Sequence, residues 1–133
     1  MKSKNLLILL LILITATLSA CSSKNDTSAS SYSKISAEEA KEMMDKDSAI
    51  TILDVRTEEE FNTGHIEGAL LIPDTDILQK AEEILTDKSA SILIYCRSGR
   101  RSALAAANLV ELGYSNVYDF GGIIDWKYDI VTE

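Results

Sequence analysis

The stretch Ser91-Ile92-Leu93-Ile94-Tyr95, followed at once by Cys96-Arg97-Ser98-Gly99-Arg100-Arg101, limits the fold of this chain more than any other. A nearly all-apolar run this short has no polar side to give to water. It predicts a strand buried on both faces, the signature of a central parallel strand. Ser102 to Leu112 is rich in Ala and Leu and predicts a helix closed by Gly113 at the C′ position. A strand that feeds a helix through a short loop is half of a βαβ unit. The chain is therefore expected to belong to the α/β class, with a central parallel β-sheet and helices on both faces.

The remaining elements fit that class. Ser36-Ala37-Glu38-Glu39 reads as a capping box with Ile35 as its staple, opening a helix to about Lys46. Ala49 to Val55 is rich in β-formers and predicts a second buried strand. Thr57-Glu58-Glu59-Glu60 is another capping box, for a brief helix to Asn62 ended by Gly64. Ala69 to Ile72 predicts a short strand stopped by Pro73. Ile77, Leu78, Ala81, Ile84 and Leu85 have helical spacing between Asp76 and Leu85. Asn116 to Phe120 reads as the last strand, Gly121-Gly122 as a tight turn, and Ile123 to Trp126 as a turn of helix.

Before the domain the chain has a different character. Lys2 and Lys4 precede the apolar run Leu6 to Ile14, too short to span a bilayer comfortably, and the run leads to Leu18-Ser19-Ala20-Cys21. The tetrad resembles a bacterial lipobox, where a thiol is diacylated and the chain is cut before it. The expected organisation is a lipoprotein signal peptide over 1–20, a lipid-anchored linker over 21–33 and one domain over 34–133. Cys21 would carry the lipid, palmitate among its acyl chains. The domain would then lie on the extracytoplasmic side of an envelope membrane. An ordinary signal peptide or an uncleaved anchor is the competing reading.

Charge narrows the partners. The formal net charge is −8, and cleavage before Cys21 removes two lysines and brings it to −10. Such a chain is a poor match for nucleic acid and is repelled by anionic headgroups, so membrane attachment falls to the covalent lipid. One histidine and one remaining free cysteine make no metal site, and no cofactor is expected.

Cys96 is then a lone thiol at the carboxyl end of a strand, where open α/β sheets bind ligands. Gly99 permits the turn dihedrals of a loop whose amides curl round an anion, and a helix N-terminus follows. With Arg97, Arg100 and Arg101 these groups all favour the thiolate, which is the nucleophile. The bland alternative is an inert buried thiol beside a solvated basic patch.

The loop Tyr95 to Ser102 resembles the active-site loop of the single-domain rhodanese family. Asp54-Val55-Arg56, Glu60-Phe61 and Gly64-His65-Ile66-Glu67-Gly68-Ala69 resemble its upstream signature. Gly113-Tyr114, Asn116-Val117 and Gly121 to Trp126 resemble its C-terminal one. The likeness covers about residues 34–127. It implies a sulfurtransferase in which Cys96 takes the outer sulfur of thiosulfate or a similar anionic donor. Cys96 would hold that sulfur as a persulfide and yield it to cyanide, a thiol or a thioredoxin-like protein. Arg97, Ser98, Gly99, Arg100 and Arg101 would bind the donor. Asp54 and Arg56 would support the loop, with Asp54 paired to Arg97, leaving Arg100 and Arg101 for substrate oxygens. His65 and Trp126 read as structural, and Glu58-Glu59-Glu60 as a solvated helix start. A non-catalytic persulfide carrier or docking module is the second reading. A phosphatase is the third, although the phosphatases of this fold place an arginine six positions after the cysteine, where this chain has Ser102.

Overall fold

A computed structural model describes residues 31–132. The segment read as a signal peptide, Cys21 and most of the segment read as linker lie outside the described residues. Five strands, β1 (Ser33–Lys34), β2 (Thr51–Asp54), β3 (Leu70–Leu71), β4 (Ser91–Cys96) and β5 (Asn116–Gly122), form one sheet in the order β1-β5-β4-β2-β3. Every pairing is parallel, and β4 is central as its composition requires. Four helices connect them: α1 (Ala37–Lys46), α2 (Glu58–Thr63), α3 (Ile77–Ile84) and α4 (Arg100–Glu111).

Alternation along the strands divides the core. Ile92, Ile94 and Cys96 face α3 and α4, in a cluster with Leu53, Ile77, Ala106 and Leu109. Leu93 and Tyr95 face the other way, with Ala40 of α1 and Phe120. Both expected capping boxes form: Ser36 with Glu39, and Thr57 with Glu60.

Three boundaries differ from expectation. Strand β1 takes in Ser33, and Tyr32 packs against the core, so folded chain begins inside the segment read as linker. Neither β1 side chain is buried, and β1 left no apolar pattern to read. Helix α4 begins at Arg100 rather than Ser102, because Gly99 adopts φ 101° and turns the chain into the helix at once. Gly121-Gly122 is the end of β5 rather than a free turn; Cys96 pairs with Gly122 across an irregularity in the β4–β5 ladder.

Candidate active site

Cys96 is the last residue of β4, and α4 starts four residues later, so its sulfur lies at the carboxyl end of the sheet. The residue is 1% exposed and touches the aliphatic cluster on one side. On the other side the sulfur meets polar groups. The Gly99 N–H donates to Sγ at 3.0 Å, and Ser102 Oγ lies 3.6 Å from it. Burial by itself pushes the thiol up. The Ser102 hydroxyl and the amides of Ser102, Gly99 and Ser98 outweigh that effect and hold the thiol below its ordinary value.

Ser102 is the residue sequence reasoning missed. Its hydroxyl reaches the Gly99 carbonyl at 3.1 Å and the Gly121 carbonyl at 3.3 Å. A hydroxyl carries one hydrogen and rotates freely, so Ser102 can accept from the thiol or turn its hydrogen toward the thiolate. The signal was present: in a helix beginning at Arg100, residue 102 lies in the first turn, beside the sulfur. The expected start at Ser102 hid it.

Two expected arginine roles are corrected. Asp54 does not pair with Arg97. It accepts from Arg56, Nη2 to Oδ2 at 2.6 Å and Nε to both oxygens at 3.0 Å, in a buried ion pair. Strand alternation explains this, because Asp54 points to the face opposite Cys96 and Arg56 shares its side two residues on. Arg56 also donates to the Gly64 carbonyl at 2.7 Å and lies over the Tyr95 ring, so it anchors α2 to the sheet. Removing one partner of such a pair costs about 3–5 kcal/mol, because a charge is left buried alone.

Arg101 is likewise not free for substrate oxygens. Nη1 and Nη2 each donate to one oxygen of Glu60 at 2.8 Å. Glu60 is therefore more than a solvated helix start. It closes the Thr57 capping box and holds Arg101 with the same carboxylate, and this pairing, chiefly through Arg101, lowers it to about 2. No local pattern announces a pair 41 residues apart in sequence. Arg97 and Arg100 remain, exposed at the mouth, and among the described residues neither guanidinium has a hydrogen-bond partner or an ion-pair partner.

The loop is fixed from beneath. The Ile124 N–H donates to the Arg97 carbonyl at 3.3 Å. Gly122 lies so close that a Cβ there would stand 2.2 Å from the Arg97 oxygen and 2.6 Å from Ser98 Cα. His65 is buried and structural: its ring stacks on Phe61 at 3.6 Å, and Nδ1 lies 2.9 Å from the Phe61 carbonyl. Trp126 packs against Phe120 and Tyr128. Among the described residues no group of three His, Cys, Asp or Glu could hold a metal. A cavity of about 580 Å³ lined by Lys41, Met44, Trp126 and Tyr128 lies apart from the sulfur.

The family described as "Rhodanese-like domain" matches residues 36–129. A thiosulfate sulfurtransferase of Coxiella burnetii is 36% identical over 97 residues, covering 72% of this chain and 88% of its own. A Bacillus subtilis protein whose name proposes a sulfur carrier is 39% identical over 99 residues; the match covers 74% of this chain, which spans about half (52%) of that protein's length. Among solved structures, a rhodanese with anions from E. coli superposes with a TM-score of 0.60 at 32% identity, covering 64% of this chain and all of that one.

Proposed function

The chain belongs to the rhodanese-like sulfurtransferase family, and from that premise we propose that it moves a sulfane sulfur from a small anionic donor to a thiophilic acceptor through a persulfide on Cys96. The observation that carries the reading is the set of polar contacts around Sγ: the Gly99 N–H donates to it at 3.0 Å, and the Ser102 hydroxyl, which accepts from the thiol, lies 3.6 Å away. The amide, and the hydroxyl once its hydrogen turns toward the sulfur, stabilise the thiolate before reaction, and the same contacts receive Cys96 as the leaving thiolate when the persulfide is discharged.

With thiosulfate as donor, the Cys96 thiolate attacks the outer sulfur. A new S–S bond forms to Cys96, the bond to the sulfonate breaks, and sulfite leaves with the electron pair. Cyanide or a thiolate then attacks the outer sulfur of the persulfide and departs as thiocyanate or a new persulfide, returning Cys96 as thiolate. Arg97 and Arg100 neutralise the donor as it enters. Arg101 adds positive charge close by, but both its Nη atoms already hold Glu60. A bidentate grip on a phosphoryl group is thereby weakened, which favours sulfur over phosphoryl transfer.

The reading also puts a diacyl lipid on Cys21 and the domain outside a membrane, supported by the leader sequence alone. The central experiment is the intact mass of the protein after incubation with thiosulfate. The expected result is a gain of one sulfur atom, lost on adding cyanide and absent in Cys96→Ala. A persulfide that forms but does not turn over would make the protein a carrier. No gain in mass would leave a docking module and end the proposal.

A further inference from the structure

Two carboxylates are buried among the described residues, Asp54 and Asp119. Asp54 holds Arg56, but Asp119, 4% exposed, is in no ion pair. Along β5, Val117 belongs to the cluster that contains Cys96 and Phe120 to the opposite one, so Asp119 points to the face of the sulfur and α4. A strand residue buried on that face is ordinarily aliphatic, and a carboxylate there is costly unless hydrogen bonds offset its burial.

Its partner is a peptide group: the Gly121 N–H donates to Oδ1 at 3.0 Å. Between the paired positions Ile94–Asp119 and Cys96–Gly122, β4 advances two residues and β5 three. Strand β5 thus carries one extra residue, a bulge, which interrupts the ladder and re-aims the chain beyond it. Asp119 satisfies the Gly121 N–H inside that bulge, where Gly121 takes φ 89°. The supports of the Cys96 loop leave from the same place. The Gly121 carbonyl accepts from Ser102 Oγ at 3.3 Å. A Cβ on Gly99 would stand 3.5 Å from Gly121 Cα, so those two backbones abut, and Gly122 lies under Arg97 and Ser98.

We propose that Asp119 is a positioning residue for Cys96: its carboxylate fixes the β5 bulge that seats the Gly99 amide and the Ser102 hydroxyl against Sγ. It acts on the sulfur through the Gly121 peptide. The role deepens the sulfur-transfer reading and rests on it for its consequence in turnover, since a looser bulge leaves less thiolate to attack a donor. The other charged groups at this end of the sheet are Arg97 of the loop, Arg100 and Arg101 of α4, Glu60 of α2 and Asp74 beyond β3, and they are the same in every variant below.

The test compares the full chain as wild type, Asp119→Asn and Asp119→Ala. Both variants remove the charge, but the Asn carbonyl can still accept from Gly121, so the difference between them isolates the acceptor. Alkylation at Cys96 by iodoacetamide is followed by peptide mass across pH, beside thermal unfolding and the mass gained from thiosulfate. The midpoint in Asp119→Ala should lie about one pH unit above that in Asp119→Asn, a ten-fold loss of thiolate well below the midpoint, with cooperative unfolding retained. Sulfur loading at neutral pH should slow in proportion. Equal midpoints in the two variants, or a higher one in Asp119→Asn, would overturn the role. Asp119→Val, a strand former without an acceptor, gives the same comparison should Asp119→Ala not fold. Failure of both to fold while Asp119→Asn folds would make Asp119 a determinant of the fold alone and overturn the role also. A wild type that gains no sulfur would instead remove the reading beneath it, with the comparison of midpoints still standing.

Discussion

Ser102 turns a buried cysteine into an acidic one. Were Cys96 held only by its aliphatic neighbours, burial would disfavour its charged form. Here the Ser102 hydroxyl, with nearby amides, favours the anion and holds the thiol below its ordinary value against the opposing effect of burial. Ser102→Ala removes the hydroxyl and leaves the amides, so the Cys96 value should rise toward or above the free-thiol value of about 8.5. The sign is fixed: thiolate is lost as pH falls through the folded value, so raising that value leaves less thiolate at neutral pH. Alkylation by iodoacetamide across pH should show a midpoint displaced upward in the variant, with slower modification near pH ~7. A midpoint unchanged from wild type would show that the amides alone set the acidity. Cys96 and the anion-favouring loop were legible in the sequence, because a strand, a cysteine, a glycine and three arginines are adjacent. The partners of Asp54 and Arg101 were not. Side-chain alternation decides the first, and a pairing across 41 residues the second.

At the scale of elements, the strand–loop–helix unit works because a second strand presses on it. Local sequence predicted the central strand, both capping boxes and the amphipathic α3, since each is written in contiguous residues. It read Gly121-Gly122 as a turn, because the need for glycine there arises from contact with a loop more than twenty residues earlier. Gly122 is the floor under Arg97 and Ser98. Its backbone is extended, so any residue could adopt its dihedrals, and the demand is for space alone. Gly122→Ala should therefore move the loop rather than unfold the sheet. Overpacking of this kind costs about 1–3 kcal/mol, while a shift of about 1 Å in reacting groups can lower a rate about 100-fold. The expected variant is folded, with a lowered melting temperature and a fall in kcat/KM far larger than the stability change implies. Thiosulfate–cyanide turnover alongside thermal unfolding checks this, and a fully active Gly122→Ala would mean that the loop is not held from below.

For the molecule as a whole, the distribution of charge matters more than its total. The described residues contain ten Lys and Arg; seven are in ion pairs, and only Lys34, Arg97 and Arg100 have no carboxylate within reach. An acidic protein with a net charge of −8 repels an anionic donor over most of its surface. It leaves an attractive field chiefly at the one loop where two guanidiniums are exposed and Arg101 stands behind them. Such a field acts across solvent, and salt screens it with a Debye length of about 8 Å at physiological ionic strength. The KM for thiosulfate should therefore rise as salt is added, and Arg100→Gln should both raise it at low salt and flatten its dependence on salt. A neutral thiol acceptor has no charge to screen, so its KM should move little over the same range. Steady-state kinetics with each substrate varied in turn separates the two. A thiosulfate KM indifferent to salt would mean that the exposed arginines do not guide the donor, and their freedom from carboxylates would then need another cause. If the salt dependence appears and Arg100→Gln removes part of it, the pairing of nearly every other cation becomes intelligible as the way an acidic surface keeps its attraction for anions at a single thiol.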